Sequence, residues 1–235
     1  MPATKLAAAL NAVHWQTNVD FFLKDGPAVD RVSKANLRLA IWAKQFETIE
    51  KNNSALCFVR EMQVVGHHVA ALAALALYKS AAGSIRTVFE AALYYTYFRT
   101  HPSELATLSR DSDFYVMKSD LLEYHKTHTK DFADLQNRFQ LITKQKNWYS
   151  SISSIVHGQI PGAWVEHKSL ADIKFIKTTL DLVVEKFCEG EELVHYLFLC
   201  TVGRELWPFF TPAAKKLLSF GIAGDTKAAL GLDAA

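Results

Sequence analysis

Apolar residues recur every three or four positions along most of the chain, which is the spacing that gives an α-helix one buried face. The pattern predicts N-terminal helices within residues 4–51, interrupted at Asp25-Gly26-Pro27 because glycine and proline break helices. In the second of these segments, Leu37, Ile41 and Ile49 have the spacing of a buried face. These N-terminal helices are expected to cover one side of a larger bundle.

The core of that bundle is predicted over about residues 55–206. Its first helix runs from Ala55 toward Leu77 and carries alanines that would let a neighbouring helix approach closely. The next helix spans Lys79 to Arg99 and stops before His101-Pro102, because the residue before a proline disfavours the α conformation. Its aromatic residues are predicted to pack in the core or at an interface rather than to stack on nucleic-acid bases.

The second half of the chain continues the helical pattern. A long, lysine-rich helix is predicted from Asp113 to Lys146, and a short one from Asn147 to His157 that ends at Gly158. Ser169-Leu170-Ala171-Asp172 resembles a capping box that opens an apolar helix toward Leu206. A terminal helix and a loose tail are expected over residues 211–235. The sequence thus predicts one all-α domain over residues 1–235, with no strand ladder.

Composition agrees with a globular protein, since 50% of the residues are hydrophobic and 21% are charged. The formal net charge of +2 does not by itself indicate a nucleic-acid binder, although RNA remains open as a partner. The three cysteines are widely spaced in apolar helical sequence, which indicates reduced core residues rather than a disulfide framework. Composition therefore indicates a globular protein and leaves its function open.

Two features of the chain bear on its compartment. Its first residues lack the basic and apolar regions of a secretory signal, so a cytoplasmic location is expected. The most apolar run, from Val69 to Tyr78, falls well short of the roughly 20 residues that cross a membrane. We therefore expect no membrane association.

Two polar patterns could carry chemistry. Arg86 and Glu90 lie one helical turn apart and can form an ion pair, which could be either an ordinary helix-edge pair or part of a site. Tyr149, Ser153 and His157 follow the same spacing on a second helix, and His157 falls at its predicted end. The helix dipole there favours a protonated imidazole, while a histidine that merely terminates the helix is the alternative interpretation.

Taken in order, these patterns resemble a known family. The segments Ser84-Ile85-Arg86-Thr87-Val88-Phe89-Glu90 and Tyr149-Ser150-Ser151-Ile152-Ser153-Ser154-Ile155-Val156-His157-Gly158 are similar to two motifs of HEPN-like helical proteins. The branch in question has an Arg and Glu helix first and a Tyr-x-x-Leu-Ser-x-x-x-His-like helix end second. The resemblance covers about Ala55 to Gly162.

The resemblance implies a helical bundle of the toxin–antitoxin or phage-defence type, with additional N- and C-terminal helices in this chain. Many members of the family are metal-independent ribonucleases that act as dimers, so RNA, a second copy and an antitoxin or other protein are the implied partners. The motif histidine corresponds to His157, with Tyr149 and Ser153 in supporting positions. Neither a cofactor nor a metal is implied.

The chain departs from the better-known active motif at one point. That motif has an arginine a few residues before the histidine, where this chain has Ser151 and Ile152. Arg86 from the neighbouring helix could supply the missing cation, with Glu90 orienting it, so that imidazole and guanidinium act on one phosphate. The competing interpretation is a non-catalytic bundle that binds a protein partner or a small ligand.

Other histidine patterns are weaker. His125, His128 and Asp131 could share a helix face, but their lysine-rich surroundings indicate a solvated surface rather than a metal site. Glu192 and His195 match the Glu-x-x-His element of di-iron bundles, yet such a site needs a second copy of the element and the chain has none. No metal centre is predicted.

Overall fold

A computed structural model describes residues 3–165 and 167–232 of the chain. Helices and turns account for the secondary structure of the described residues, with no strand among them, which confirms the predicted all-α class. None of the helices in the part described is both long enough and apolar enough to span a membrane.

The N-terminal region forms three helices, α1 (Ala3–Asn11), α2 (Trp15–Lys24) and α3 (Gly26–Ile49). The predicted interruption lies between α2 and α3, where the Asp25 carboxylate accepts a hydrogen bond from the Ala28 amide at 3.3 Å. This cap satisfies one of the amides that the first turn of α3 leaves without a helical partner.

The next two helices form the centre of the molecule. They are α4 (Leu56–Ala74) and α5 (Tyr78–Phe98), and they pack against each other as predicted for an alanine-containing face. Phe89, Tyr95 and Phe98 of α5 are almost completely buried within the chain. The aromatic series of α5 is therefore largely core, and little of it is left for an interface.

The prediction of one long helix from Asp113 to Lys146 is wrong. After α6 (Pro102–Arg110), the chain forms α7 (Lys118–His128), α8 (Phe132–Phe139) and α9 (Leu141–Val156). Asp131 and Gln140 adopt left-handed φ values of 58° and 53°, which a continuing helix does not allow. As a result α9 begins at Leu141 rather than at Asn147.

The predicted start of the next helix is also wrong. Ser169 and Asp172 do form the capping interaction, in which the carboxylate accepts from the Ser169 amide and hydroxyl, but it closes only a 3₁₀ turn. Helix α10 (Lys177–Phe198) follows and continues through a π-helical segment, Leu199–Gly203. The local capping signal was correct, but the chain after it is extended instead of helical.

The C-terminal region contains α11 (Arg204–Leu206), α12 (Pro212–Leu218) and α13 (Gly224–Leu230). The Thr211 side chain accepts a hydrogen bond from the Ala214 amide, so the predicted cap of the terminal helix is present. Buried apolar residues from α2 to α13 belong to one connected core, to which α1 contributes no buried residue.

An aromatic cluster holds α3, α5 and α10 together. Trp42 and Phe46 of α3 pack with Tyr95 and Phe198, and all four side chains are fully buried. The Trp42 indole donates a hydrogen bond to Nδ1 of buried His195 at 3.1 Å. Because both groups are satisfied inside the core, His195 serves packing rather than metal binding.

Two burial predictions are wrong. Leu37, placed on the buried face of α3, is 56% exposed, because the face that carries Trp42 and Phe46 is the one that turns inward. Ile41 and Ile49 of the predicted face are only half-buried. The cysteines are unpaired as expected, but Cys57 is exposed, Cys188 is half-buried and only Cys200 is a core residue.

Close packing of α9 on α10 predicts a stability effect at Gly190. A Cβ atom there would lie 2.4 Å from Cζ2 of Trp148, so Gly190→Ala should lower the free energy of unfolding by about 1–3 kcal/mol through overpacking. Gly83→Ala in α5 is the matched control, because nothing lies within 4 Å and alanine is the better helix former by up to about 1 kcal/mol. Urea unfolding measures both variants, and a Gly190→Ala protein as stable as the wild type would contradict the packing.

Candidate functional site

The structure brings the two predicted polar patterns together. Arg86 and Glu90 project from α5, and Tyr149 projects from α9, with His157 immediately after the last residue of α9. The Arg86 Nη1 atom lies 2.8 Å from Nε2 of His157, although the two residues are far apart in sequence. The proximity that the sequence could only suggest is therefore present in the fold.

The contact with Arg86 determines which nitrogen of His157 accepts a hydrogen bond. A guanidinium has no acceptor atom, so Arg86 must donate and Nε2 of His157 must accept. The imidazole in this contact is thus neutral, with its hydrogen on Nδ1, whereas the helix end alone favoured the protonated form. Arg86 also donates through Nε to Glu90 at 2.7 Å, which orients the guanidinium toward the histidine.

A third helix completes the network. Lys118, at the start of α7, donates to the Tyr149 hydroxyl at 2.7 Å and forms an ion pair with Glu90 at 2.5 Å. Tyr149 in turn donates to Glu90 at 2.5 Å. One carboxylate therefore accepts from three side chains on three helices, and Lys118 is a site residue that the sequence patterns did not identify.

The hydrogen bonds of the network stabilise the charged forms of Glu90 and Arg86. Burial acts to raise the pKa of Glu90, but the hydrogen bonds from Lys118, Tyr149 and Arg86 outweigh it and lower that pKa. Burial likewise acts against the charged form of Arg86, and the bond to Glu90 more than offsets it, so the pKa of Arg86 is raised. The Arg86 guanidinium also lies 5.1 Å from the centroid of the Tyr149 ring. Glu90 is held as an anion and Arg86 as a cation.

The site is open to solvent. His157 is exposed, and the side chains of Arg86 and Glu90 are 21% and 20% exposed. Ser153 behaves differently, because its hydroxyl is buried and has no hydrogen-bond partner among the described residues. The network thus includes Tyr149 but not Ser153.

A further cation lies beside His157. Gly158 ends α9 with a φ of +68°, and Nζ of Lys79 lies 3.4 Å from the position that a Cβ on Gly158 would take. Lys79 has no ion-pair partner within residues 3–165 and 167–232. Arg86 is therefore the cation in contact with His157, while Lys79 lies against the turn at Gly158 and Lys118 lies on the far partners of the network, Tyr149 and Glu90.

The positions of the absent motif arginine are occupied by packing residues. Ile152 is fully buried, and Ser151 is half-buried. An arginine at Ile152 would have to enter the apolar core, so this position of α9 offers no place for the cation. In this fold the guanidinium next to the histidine comes from α5.

His125 is a core residue rather than a metal ligand. Thr96 donates its hydroxyl hydrogen to the Leu93 carbonyl at 2.8 Å, so Nε2–H of His125 donates to Thr96 Oγ1 at 2.9 Å. Nδ1 lies 2.8 Å from the Thr129 hydroxyl, which can donate to it. Both nitrogens of a neutral imidazole are therefore satisfied, and no ring nitrogen is left for a metal.

The remaining metal candidates have other partners as well. Asp131 pairs with Arg204 at 2.6 Å, and Glu192 accepts a hydrogen bond from Tyr196 at 2.5 Å. Across the described part of the chain, no group of three or more histidine, cysteine, aspartate or glutamate side chains could hold a metal ion.

Burial of His125 predicts a pH dependence. Burial, with a smaller contribution from His101, lowers the pKa of His125 to about 4, from an unfolded value of 6.5. Since the folded state disfavours the proton, this contribution to stability is present above pH 6.5 and is lost as the pH falls toward 4. The expected loss is about 3 kcal/mol.

Denaturant unfolding at several pH values tests this expectation. The stability difference between wild type and His125→Gln should change by about 3 kcal/mol over that interval, because the variant cannot titrate there. His128→Gln, an exposed histidine on the same helix, should show little change. Parallel pH profiles for the wild type and His125→Gln would disprove the burial effect.

Comparison of the chain with family models, with curated proteins and with solved structures finds no match.

Proposed function

We propose that the chain is a HEPN-like protein of the toxin or phage-defence type, acting in the cytoplasm as a metal-independent endoribonuclease. The contact between Arg86 and His157 on an exposed surface supports this proposal most directly. It joins the two motif helices at His157, which corresponds to the motif histidine, and at Arg86, which we propose replaces the absent motif arginine. A homodimer and an antitoxin or other protein partner belong to the same proposal.

The proposed chemistry uses the two side chains in complementary roles. Phosphate oxygens of the substrate accept hydrogen bonds from Arg86 in place of His157, which frees Nε2. Nε2 then takes the proton of the ribose 2′-hydroxyl as its oxygen attacks phosphorus, while the guanidinium stabilises the developing negative charge. The P–O5′ bond breaks as the new bond forms, which leaves a 2′,3′-cyclic phosphate on one fragment. The departing 5′-oxygen takes a proton from water, and the protonated imidazole later returns its proton to the solvent. Glu90 and Tyr149 hold the guanidinium in place.

The charge distribution favours a polyanionic substrate. Arg86 contacts His157, Lys79 lies at the turn that follows it and Lys118 belongs to the same network, and Glu90 neutralises only part of their charge. Phosphate groups supply most of the affinity in protein–nucleic acid complexes, so this local surplus serves RNA binding even at a net charge of +2. A metal-free attack by the 2′-hydroxyl restricts the substrate to RNA rather than DNA.

Incubation of the purified protein with total RNA, with and without EDTA, tests the function. Cleavage that resists EDTA, together with no cleavage of a substrate carrying 2′-deoxyribose throughout, is the expected result. The absence of RNA cleavage by the full-length chain, or cleavage that EDTA abolishes, would overturn the proposal.

A second candidate function has its own observation. A groove of about 750 Å³ between α3, α10 and α12 is of the size that ligands and partner segments occupy. A non-catalytic bundle would use such a surface to bind a protein or a small ligand, with the His157 network serving structure. A chain that binds a partner through this groove and leaves RNA intact would favour this alternative.

A further inference from the structure

A cavity of about 450 Å³ lies near the C-terminal ends of α5 and α7, beside the π-helical segment Leu199–Gly203. Its volume falls in the range that small-molecule sites usually have. All of the residues that line it except Val202 carry a polar or charged side chain. None of them belongs to the His157 network or lines the groove between α3, α10 and α12. The cavity is therefore a separate, polar feature of the molecule.

The π-helical segment forms one wall of this cavity. Thr201 and Val202 of the segment are lining residues. Single π turns are rare in proteins and occur frequently at functional sites. A Cβ on Gly203 would lie only 2.8 Å from the Phe198 carbonyl oxygen, so the backbone here depends on a residue without a side chain. The wall is thus a specific feature of this chain and not a plain continuation of α10.

Positive charge dominates the lining of the cavity. Arg99, Lys130 and Arg204 line it, whereas Glu205 is the one carboxylate among its described lining residues. Arg99 is already engaged, because its guanidinium donates to Glu205 at 2.8 Å and to Glu50 at 2.7 Å. Arg99 therefore fixes the wall, and the other two cations are the ones that a ligand can use.

Arg204 and Lys130 keep donors that no protein group uses. Nη1 of Arg204 donates to Asp131 at 2.6 Å, which orients the guanidinium, while its Nε and Nη2 atoms have no hydrogen-bond partner among the described residues. Lys130 is exposed and forms neither an ion pair nor a hydrogen bond within residues 3–165 and 167–232. A guanidinium and an ammonium group with free donors at one cavity suit a phosphate group, whose oxygens accept from both.

The threonine hydroxyls of the lining supply acceptors. Thr201 donates its hydroxyl hydrogen to the Leu197 carbonyl at 2.6 Å. Thr129 donates in the same way to Nδ1 of His125 at 2.8 Å. Each oxygen keeps a lone pair but has no hydrogen left for a ligand. The groups of a ligand that lie against these oxygens must therefore be donors, as the hydroxyl groups of a sugar are.

We propose that this cavity binds a sugar phosphate. Arg204 and Lys130 bind the phosphate group, and Thr129 and Thr201 accept hydrogen bonds from the sugar hydroxyls. Inorganic phosphate satisfies only the cationic part of the site, and a neutral sugar satisfies only the threonines. Because the cavity shares no residue with the His157 network, binding does not depend on whether the chain cleaves RNA.

Isothermal titration calorimetry of the full chain tests the site, with glucose 6-phosphate and ribose 5-phosphate as the probes. At least one of them should bind with a dissociation constant below about 1 mM, the upper end of the range usual for metabolite sites. Glucose, ribose and inorganic phosphate should each bind at least about tenfold more weakly, because each lacks one part of the hydrogen bonding.

Variants of the two parts of the site give different results. Lys130→Ala removes a cation that has no partner within the described part of the chain, so it should weaken sugar phosphate binding by about tenfold. Lys146→Ala is the matched control, because Lys146 is exposed and lies outside the cavity. Thr201→Val should weaken sugar phosphate binding by about three- to tenfold and leave the affinity for inorganic phosphate unchanged. Thr201→Ser keeps the hydroxyl and should bind like the wild type.

Three results would overturn the proposal. The first is the absence of binding of both sugar phosphates at concentrations up to about 10 mM. The second is an affinity that neither Lys130→Ala nor Thr201→Val changes, with both variants folded by circular dichroism. The third is inorganic phosphate that binds as tightly as the sugar phosphates, which would indicate an anion site without sugar contacts.

Discussion

Replacing His157 with alanine is expected to slow RNA cleavage by about 10²- to 10⁴-fold, the usual contribution of one general acid–base group. His157 is exposed, and its imidazole contacts Arg86, so the substitution removes the proposed base without opening the core. Initial cleavage rates of a defined single-stranded RNA, measured in EDTA, give the effect. Its thermal unfolding should remain close to that of the wild type.

Matched controls separate chemistry from general damage. His68→Ala changes another exposed histidine, on α4, and should leave cleavage unchanged. Arg86→Lys keeps a positive charge but loses the geometry that donates to both Glu90 and His157, so its rate should also fall. Cleavage that persists in His157→Ala and is removed by repurification would identify a contaminating nuclease and contradict the assignment.

The site could be predicted from the sequence where local spacing determines the geometry. One-turn intervals place Arg86 beside Glu90 and put Tyr149, Ser153 and His157 on one face of a regular helix, and the ordered family motifs suggested that the two helices meet. Gly158 correctly marked the end of α9. These predictions needed only helix periodicity and termination chemistry.

Residues brought to the site by tertiary packing could not be found in this way. Lys118 reaches Tyr149 and Glu90 because α7 packs against α5, and the lysine-rich sequence that begins with this residue does not distinguish it from the lysines that follow. The Nζ atom of Lys79 lies close to the turn at Gly158, which directly follows His157. Each position depends on how elements pack, which a one-dimensional pattern does not contain.

The errors in the fold have similar causes. Leu37 and Trp42 lie on different apolar stripes of α3, and only contact with α5 and α10 decides that the aromatic stripe is buried. Asp131 directly precedes α8 and Gln140 separates α8 from α9, both in left-handed conformations and without the glycine or proline that usually marks such a break. At these places tertiary structure overrides the local preference of the chain.

An ion pair between α3 and α10, in which the carboxylate is buried and the arginine is partly exposed, predicts the largest effect on stability. Arg38 makes two hydrogen bonds at 2.5 Å to Glu191, whose side chain is only 3% exposed. Arg38→Met removes the cation and leaves the carboxylate buried, so we expect the free energy of unfolding to fall by about 3–5 kcal/mol at neutral pH. Urea unfolding of the two proteins measures this loss.

Variants of Glu191, the partner of Arg38, identify the cause of this loss of stability. Burial raises the pKa of Glu191 even with Arg38 beside it, and removal of Arg38 should raise that pKa further. A group whose pKa is raised on folding contributes stability at low pH, and this contribution is lost as the pH rises through the folded pKa. The difference in free energy of unfolding between the wild type and Arg38→Met should therefore become smaller as the pH falls toward 4.5. The double variant Arg38→Met with Glu191→Leu buries no charge and should lie close to the wild type, because apolar replacements of buried ion pairs are often neutral or stabilising. A contradicting result is a double variant that is as unstable as Arg38→Met and loses the same stability at neutral pH and at pH 4.5. The loss would then come from packing of the Arg38 side chain and not from the unpaired Glu191 carboxylate.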